Sequence, residues 1–135
     1  MGLFESFQIS GSALSAERLR MDLVASNLAN ANTTAKPGED IFRRKLAIFQ
    51  SEPVSSASNL TGVRVSRIVE DSAPPKLVYD PSHPDANQDG YVAYSNVNPI
   101  LEMVDMLAAS RAYQANLSSL ETTREMMLRA LQIIS

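Results

Sequence analysis

The chain has 135 residues, room for one domain and too few for two ordinary ones. Its 44% apolar and 20% charged residues are those of a folded protein, and a formal net charge of −3 leaves no basic face for nucleic-acid phosphates or an anionic membrane. It has no Cys, which excludes disulfides, thiol catalysis and thiolate metal sites.

The first residues, Met1-Gly2-Leu3-Phe4-Glu5-Ser6, lack a basic segment followed by a continuous apolar run, so no cleaved signal peptide is expected. Met1-Gly2 with Ser6 fits a myristoylation pattern. Leu3, Phe4 and Phe7 read better as the start of a helix stripe. Phe7, Leu14, Met21 and Leu28 recur every seven residues, flanked by Leu3, Val24 and Ala31, which predicts a helix ending near residue 31. The companion row contains Ser10 and Glu17, and Gly11 weakens the expectation of a continuous helix. Asn27, Asn30, Asn32, Thr33, Thr34, Pro37 and Gly38 then stop it.

Four short β-like pieces follow, at 41–49, 63–69, 76–79 and 90–94, separated by a Ser-rich stretch, Pro74-Pro75 and the loop 80–89. At the carboxyl end Asn98 is a good N-cap, Pro99 suits the first helical position and Glu102 lies in the first turn, where a carboxylate favours the helix dipole. From there to Ile134 neither Gly nor Pro interrupts. Met106, Tyr113, Leu120, Met127 and Ile134 form a row at seven-residue spacing, accompanied by Met103, Leu117 and Leu131. Such a helix is roughly 54 Å long.

These elements predict an α+β fold in which two long terminal helices pack as a coiled-coil-like pair around a small β-containing middle module. The expected divisions are 1–33 for the first helix, 34–95 for the β-rich module and its loops, and 96–135 for the last helix. The two helical segments form one helical domain.

The first half of the last helix is apolar around most of its circumference, with Glu102, Asp105, Ser110 and Arg111 as the strongly polar interruptions. A helix apolar on nearly all sides must be buried on nearly all sides. The first helix covers one face, and the small middle module cannot wrap the rest. Each large apolar side chain left in water forgoes about 1.5–3 kcal/mol. The remaining faces therefore call for other chains, with the terminal helices loose in the free subunit and ordered on assembly. A heterologous surface of this kind gives rings or filaments, although periodicity does not by itself choose between a filament and a helical bundle.

Few motifs suggest chemistry. Asp85-Ala86-Asn87-Gln88-Asp89-Gly90 matches the first half of an EF-hand loop, but the twelfth position is Asn96 rather than Glu, and Pro81 and Pro84 occupy the incoming helix. A turn rich in Asp, Asn and Gly is the better reading. His83 is the sole His and lacks a nucleophile or Cys partners, so a hydrogen-bonding role in its loop is expected. The sequons at Asn32, Asn59 and Asn116 have no signal peptide to support them. Arg43-Arg44-Lys45 reads as a solvated or interface-facing charge cluster. No catalytic, cofactor or metal site is expected. A soluble helical adaptor or export chaperone remains an alternative, as does a calcium-binding or hydrolytic protein resting on Asp85–Gly90 and His83.

The segment from Ser12 to Thr34, with Ser26-Asn27-Leu28-Ala29-Asn30 and Asn32-Thr33 at its centre, resembles the amino-terminal signature of flagellar rod and hook axial proteins. Ile41-Phe42-Arg43-Arg44-Lys45, the run from Val78 to Asn87 with Gly90-Tyr91-Val92, and Asn96-Val97-Asn98 followed by Glu102-Met103-Val104-Asp105-Met106 and the run from Ala109 to Asn116 are similar to the proximal-rod members of that family. Ser95 stands where those members usually carry Pro, which is expected to soften the start of the last helix. Thr123-Arg124-Glu125 stands where a Lys-containing stretch is common.

The resemblance implies a structural subunit, not an enzyme, exported through the flagellum's own type III apparatus without signal cleavage. It implies polymerisation into a helical tube across the periplasm, the paired helices inside and the β-containing module outside. Expected partners are other copies of the chain, the rod proteins FlgB, FlgF and FlgG, and FliE near the membrane ring, with no nucleic acid, cofactor or small-molecule substrate. The expected subunit contacts are Leu3, Phe7, Leu14, Met21, Val24 and Leu28 on the first helix. On the last they are Met103, Met106, Leu107, Tyr113, Leu117, Leu120, Met127, Leu131 and Ile134. Asn27, Asn30 and Asn32 are expected to cap or cross-link the first helix at a subunit junction.

Overall fold

A computed structural model describes residues 2–135. Helix α1 spans Leu3–Ala29 and helix α2 spans Pro99–Ile134, with five strands between them: β1 Thr34–Ala35, β2 Lys45–Pro53, β3 Thr61–Glu70, β4 Lys76–Tyr79 and β5 Tyr91–Tyr94. The fold is α+β, as the residue pattern predicts. The Gly2 amide donates to the Glu5 carboxylate at the start of α1 (3.1 Å), and the helix continues through Gly11 without a break. The Asn98 carboxamide oxygen accepts from the amides of Ile100 and Leu101, so the predicted N-cap holds the start of α2.

The helices run antiparallel. Ser10 Oγ donates to Ser119 Oγ at one level (3.3 Å), and Asn27 Nδ2 donates to Glu102 Oε2 at another (3.1 Å). The most buried positions form rows one step round from the apolar heptad rows. On α1 and just past it the buried row is Ser10, Glu17, Val24 and Ala31, while Phe7 remains 36% exposed and Leu14, Met21 and Leu28 are half-buried. On α2 Glu102, Ala109 and Thr123 lie deepest, while Asn116 in the same row is half-buried, as are Met106, Tyr113, Leu120 and Met127 beside it. Small and hydrogen-bonded side chains at the centre of the seam let two backbones approach closely, and larger ones fit only at its flanks.

The middle module is two separate pieces. β2 and β3 pair as an antiparallel hairpin, with a register shift between Ile48 and Phe49 that leaves Ser66 as an extra residue. This hairpin packs along α1. Gly62 permits the contact, since a Cβ there would stand 2.6 Å from Ser12 Oγ, and that same hydroxyl accepts from the Val63 amide at 3.2 Å. The second piece is a three-stranded antiparallel sheet in the order β1-β5-β4. None of its strands lies against a helix.

The strand positions shift from those expected. The first predicted strand begins only at Lys45, Arg44 being drawn into contacts described below, and it runs on through Ser51 into the Ser-rich stretch. The bridge β1 has no sequence signal, for two residues cannot show a period. In the loop 80–89, His83 Nδ1 accepts from the Asp85 amide (3.0 Å), and Asn87 Oδ1 accepts from the amides of Asp89 and Tyr91. The Asp85 carboxylate accepts from Thr34 Oγ1 at 2.6 Å. The turn reading of this loop holds, with Gly90 at φ +85° closing it.

Candidate assembly surface

Where the end of α1 meets the start of α2, the chain builds a polar junction from residues distant in sequence. Glu102 is fully buried. Its carboxylate accepts from Arg44 Nε and from Asn27 Nδ2. Arg44 Nη2 donates to Asp105 at 2.9 Å, and Arg20 approaches Asp105 at 3.6 Å and Glu17 at 3.4 Å. Asn27 also clamps the first residue of the hairpin, its Nδ2 donating to the Lys45 carbonyl and its Oδ1 accepting from the Lys45 amide, each at 2.9 Å. A buried carboxylate is tolerable only when paired and hydrogen-bonded, and here both conditions are met.

A second clamp is Asn96. Its Oδ1 accepts from the Arg44 amide (2.8 Å), and its Nδ2 donates to the carbonyls of Asp71 and Ala73. The base of the hairpin is thereby tied to the segment leading into α2. Ser95 is 1% exposed, its amide donates to the Thr33 carbonyl (3.2 Å), and its hydroxyl accepts from the Val97 amide. Proline lacks that amide proton, so Ser95 ties down the start of α2 rather than softening it.

These contacts revise the reading of several residues. Arg44 is not part of a solvated or outward charge cluster; it points inward. Val24 and Asn27, expected among the subunit contacts, are 4% and 1% exposed and engaged within the chain. Asn30 closes the end of α1, its Nδ2 donating to the Ser26 carbonyl and its own carbonyl accepting from Thr33 Oγ1. Asn32 is exposed. Sequence reasoning placed Glu102 at the helix dipole but missed its partners. The nearest signal was an acidic residue inside an otherwise apolar arc.

Outside this junction the molecule turns apolar side chains to solvent. On α2, Ile100, Met103, Val104 and Leu107 are between 56% and 72% exposed, and Leu117, Leu128, Leu131 and Ile134 continue the exposure. Of the expected contact residues, Phe7, Met103, Leu107, Leu117, Leu131 and Ile134 are open in the single chain. Leu3, Leu14, Met21, Leu28, Met106, Tyr113, Leu120 and Met127 are half-buried. A compact monomer of this size exposes about 6,900 Å²; this chain exposes 9086 Å². The excess of roughly 2,000 Å² belongs to the chain as a whole, helices, hairpin and sheet together.

Two family models match the helical parts. Residues 7–35 match the model described as "Flagella basal body rod protein", and residues 88–133 match "Flagellar basal body rod FlgEFG protein C-terminal". The chain is 45% identical to the flagellar basal-body rod protein FlgC of Bacillus subtilis (strain 168), over 98% of this chain and 99% of that protein. It is 42% identical to FlgC of Salmonella typhimurium and 43% identical to FlgC of Escherichia coli O157:H7, in each case over 98% of both chains.

The chain belongs to the FlgC family of flagellar basal-body rod proteins. The two matched segments hold α1 with the turn after it, and β5 with nearly all of α2. They contain Asn27 and Glu102, while Arg44, the cation that completes the junction, comes from the segment between them.

Proposed function

We propose that this chain polymerises through its terminal helices into the proximal rod, the drive shaft and export channel that crosses the periplasm. The chain is a structural rod subunit and not an enzyme, and its place is the basal-body rod with other rod components. Supporting the finer reading is one observation above the rest: many large apolar side chains of the helix pair face outward, in a chain with roughly 2,000 Å² more surface than a compact monomer keeps. Burying that surface requires neighbours on several sides. The neighbours in this reading are other copies of the chain, FlgB, FlgF and FlgG, with FliE at the membrane end. The chain reaches them through the flagellum's own type III apparatus, without cleavage of a signal peptide.

The test uses Leu107→Asp, because Leu107 is 61% exposed and outside the seam. Met106 is half-buried, so a charge there would damage the pair itself. The variant is expected to keep the helical circular dichroism and melting temperature of the wild type. Its peptides should be missing from purified hook–basal bodies by mass spectrometry, with motility lost. Normal incorporation would overturn polymerisation through this face. Appearance of the wild type only in soluble complexes of fixed stoichiometry would replace the rod subunit with a helical adaptor.

A further inference from the structure

Helix α2 meets α1 on a charged face and keeps an apolar one outside. At 100° per residue, Ile100, Met103, Val104 and Leu107 lie between about 100° and 200° round the helix from Glu102. All four are exposed. The face turned toward α1 carries Glu102 and Asp105, beside Met106 and Ala109. Transfer of apolar surface out of water favours the opposite choice.

The chain connections do not make that choice. Pairing of β1 with β5, and the bond from the Ser95 amide to the Thr33 carbonyl, bring the start of α2 beside the end of α1. Neither involves a side chain of α2, so neither fixes which face turns inward. The groups that do so sit across the seam. The Arg44 side chain is only 21% exposed and meets Glu102 and Asp105, with Asp71 at 4.0 Å. Arg20 stands 3.6 Å from Asp105, and Asn27 donates to Glu102 while its two bonds to Lys45 hold it in place.

A half turn of α2 about its axis would bring Ile100 and Leu107 against these groups. Glu102 would then reach water, but the guanidinium of Arg44 would keep only the distant Asp71. A buried cation without a close partner is costly, so this docking is penalised although it covers more apolar surface.

We propose that Arg44 selects the face of α2 that packs on α1, through Glu102 and Asp105, and acts as a device of specificity rather than of stability. A buried ion pair can often be replaced by apolar groups of similar size without loss of stability. What such a pair adds here is the exclusion of a competing arrangement. Arg44 is thus a positioning residue, and the selection is a property of the single chain that does not rest on the rod-subunit reading.

The experiment uses the full-length chain, which has no Cys, so an introduced pair supplies the only thiols. Ser10→Cys with Ser119→Cys reports the observed docking, the two hydroxyls being 3.3 Å apart. Ser10→Cys with Leu117→Cys reports the turned docking, since positions 117 and 119 lie about 160° apart round the helix. Each pair is equilibrated at high dilution in a glutathione redox buffer. The fraction of intramolecular disulfide is then read by mass spectrometry.

With Arg44 and Glu102 in place, the 10–119 bridge should be favoured at least roughly tenfold over the 10–117 bridge. In the Arg44→Met, Glu102→Leu background the two should form within about threefold of each other, with helical circular dichroism kept and the urea midpoint not lowered. Glu102→Gln alone keeps the shape of the side chain and removes its charge, and should cut the preference by at least about threefold. This second variant decides the matter if the apolar pair fails to fold. A preference that survives undiminished in either folded background would overturn the proposal, as would its absence from the chain that retains Arg44 and Glu102.

Discussion

The two ends of the helix pair are held by different physics. At the α1 C-terminus, Asn27, Arg44 and Asn96 tie together α1, the hairpin and the start of α2 with short hydrogen bonds to a buried carboxylate and to backbone groups. Toward the far end, Ser10 and Ser119 share one hydrogen bond, and past Leu3 α2 continues alone with its Leu and Ile side chains in water. The polar junction at the first end is complete within one chain; the apolar tail at the second depends on what lies next to it. A rod subunit needs both conditions, since it must be folded enough to present a surface and incomplete enough to require a neighbour.

The contrast can be broken most strongly at Arg44. Arg44→Ala leaves Glu102 buried without its cation, and we expect a loss of about 3–5 kcal/mol, enough to unfold much of the population, measured by urea denaturation. Replacing Glu102 by Gln in that background should recover part of the loss, because the buried charge is gone. Asn27→Ala removes three hydrogen bonds and strands both backbone groups of Lys45. A loss of about 2–3 kcal/mol is expected in the same assay, with faster hydrogen exchange at Lys45.

Gly62→Ala pushes a methyl group into Ser12 and should cost about 1–2 kcal/mol. Paired with Ser12→Gly, the cost should be less than the sum of the two single changes, and strict additivity would argue against the close approach of hairpin and helix. At the tail the expected effect is smallest. Ile133→Ser should shift single-chain stability by less than about 0.5 kcal/mol. Backbone amides after Met126 should exchange with deuterium faster than those around Ala109, and equal protection along α2 would erase the distinction drawn here.

Sequence legibility followed the range of the interactions. The last helix was readable almost to its bounds because N-cap, proline and a long uninterrupted run act within a few residues of one another. The strand at Lys76–Tyr79 appeared where expected, bracketed by Pro74-Pro75 and the Asp-rich turn. The division of the middle module into a hairpin on α1 and a separate sheet was not readable. It depends on Gly62 meeting Ser12 and on β5 pairing with both β1 and β4, contacts made across the chain.

The seam shows the same limit more sharply. Heptad spacing marks an apolar row on each helix, and apolarity alone marks those rows for burial, in the pair or against a neighbouring subunit. The folded chain instead buries Ser10, Glu17, Glu102 and Thr123 and leaves much of the apolar surface outside. What the sequence by itself determined was two long helices, their caps, a β-containing middle and an excess of apolar surface beyond what one small chain can cover. Which rows face inward, and that Arg44 turns in to meet Glu102, only the tertiary structure decided. Local patterning records how apolar a face is, whereas the choice of partner for that face is settled by close approach of backbones and by pairing of groups dozens of residues apart.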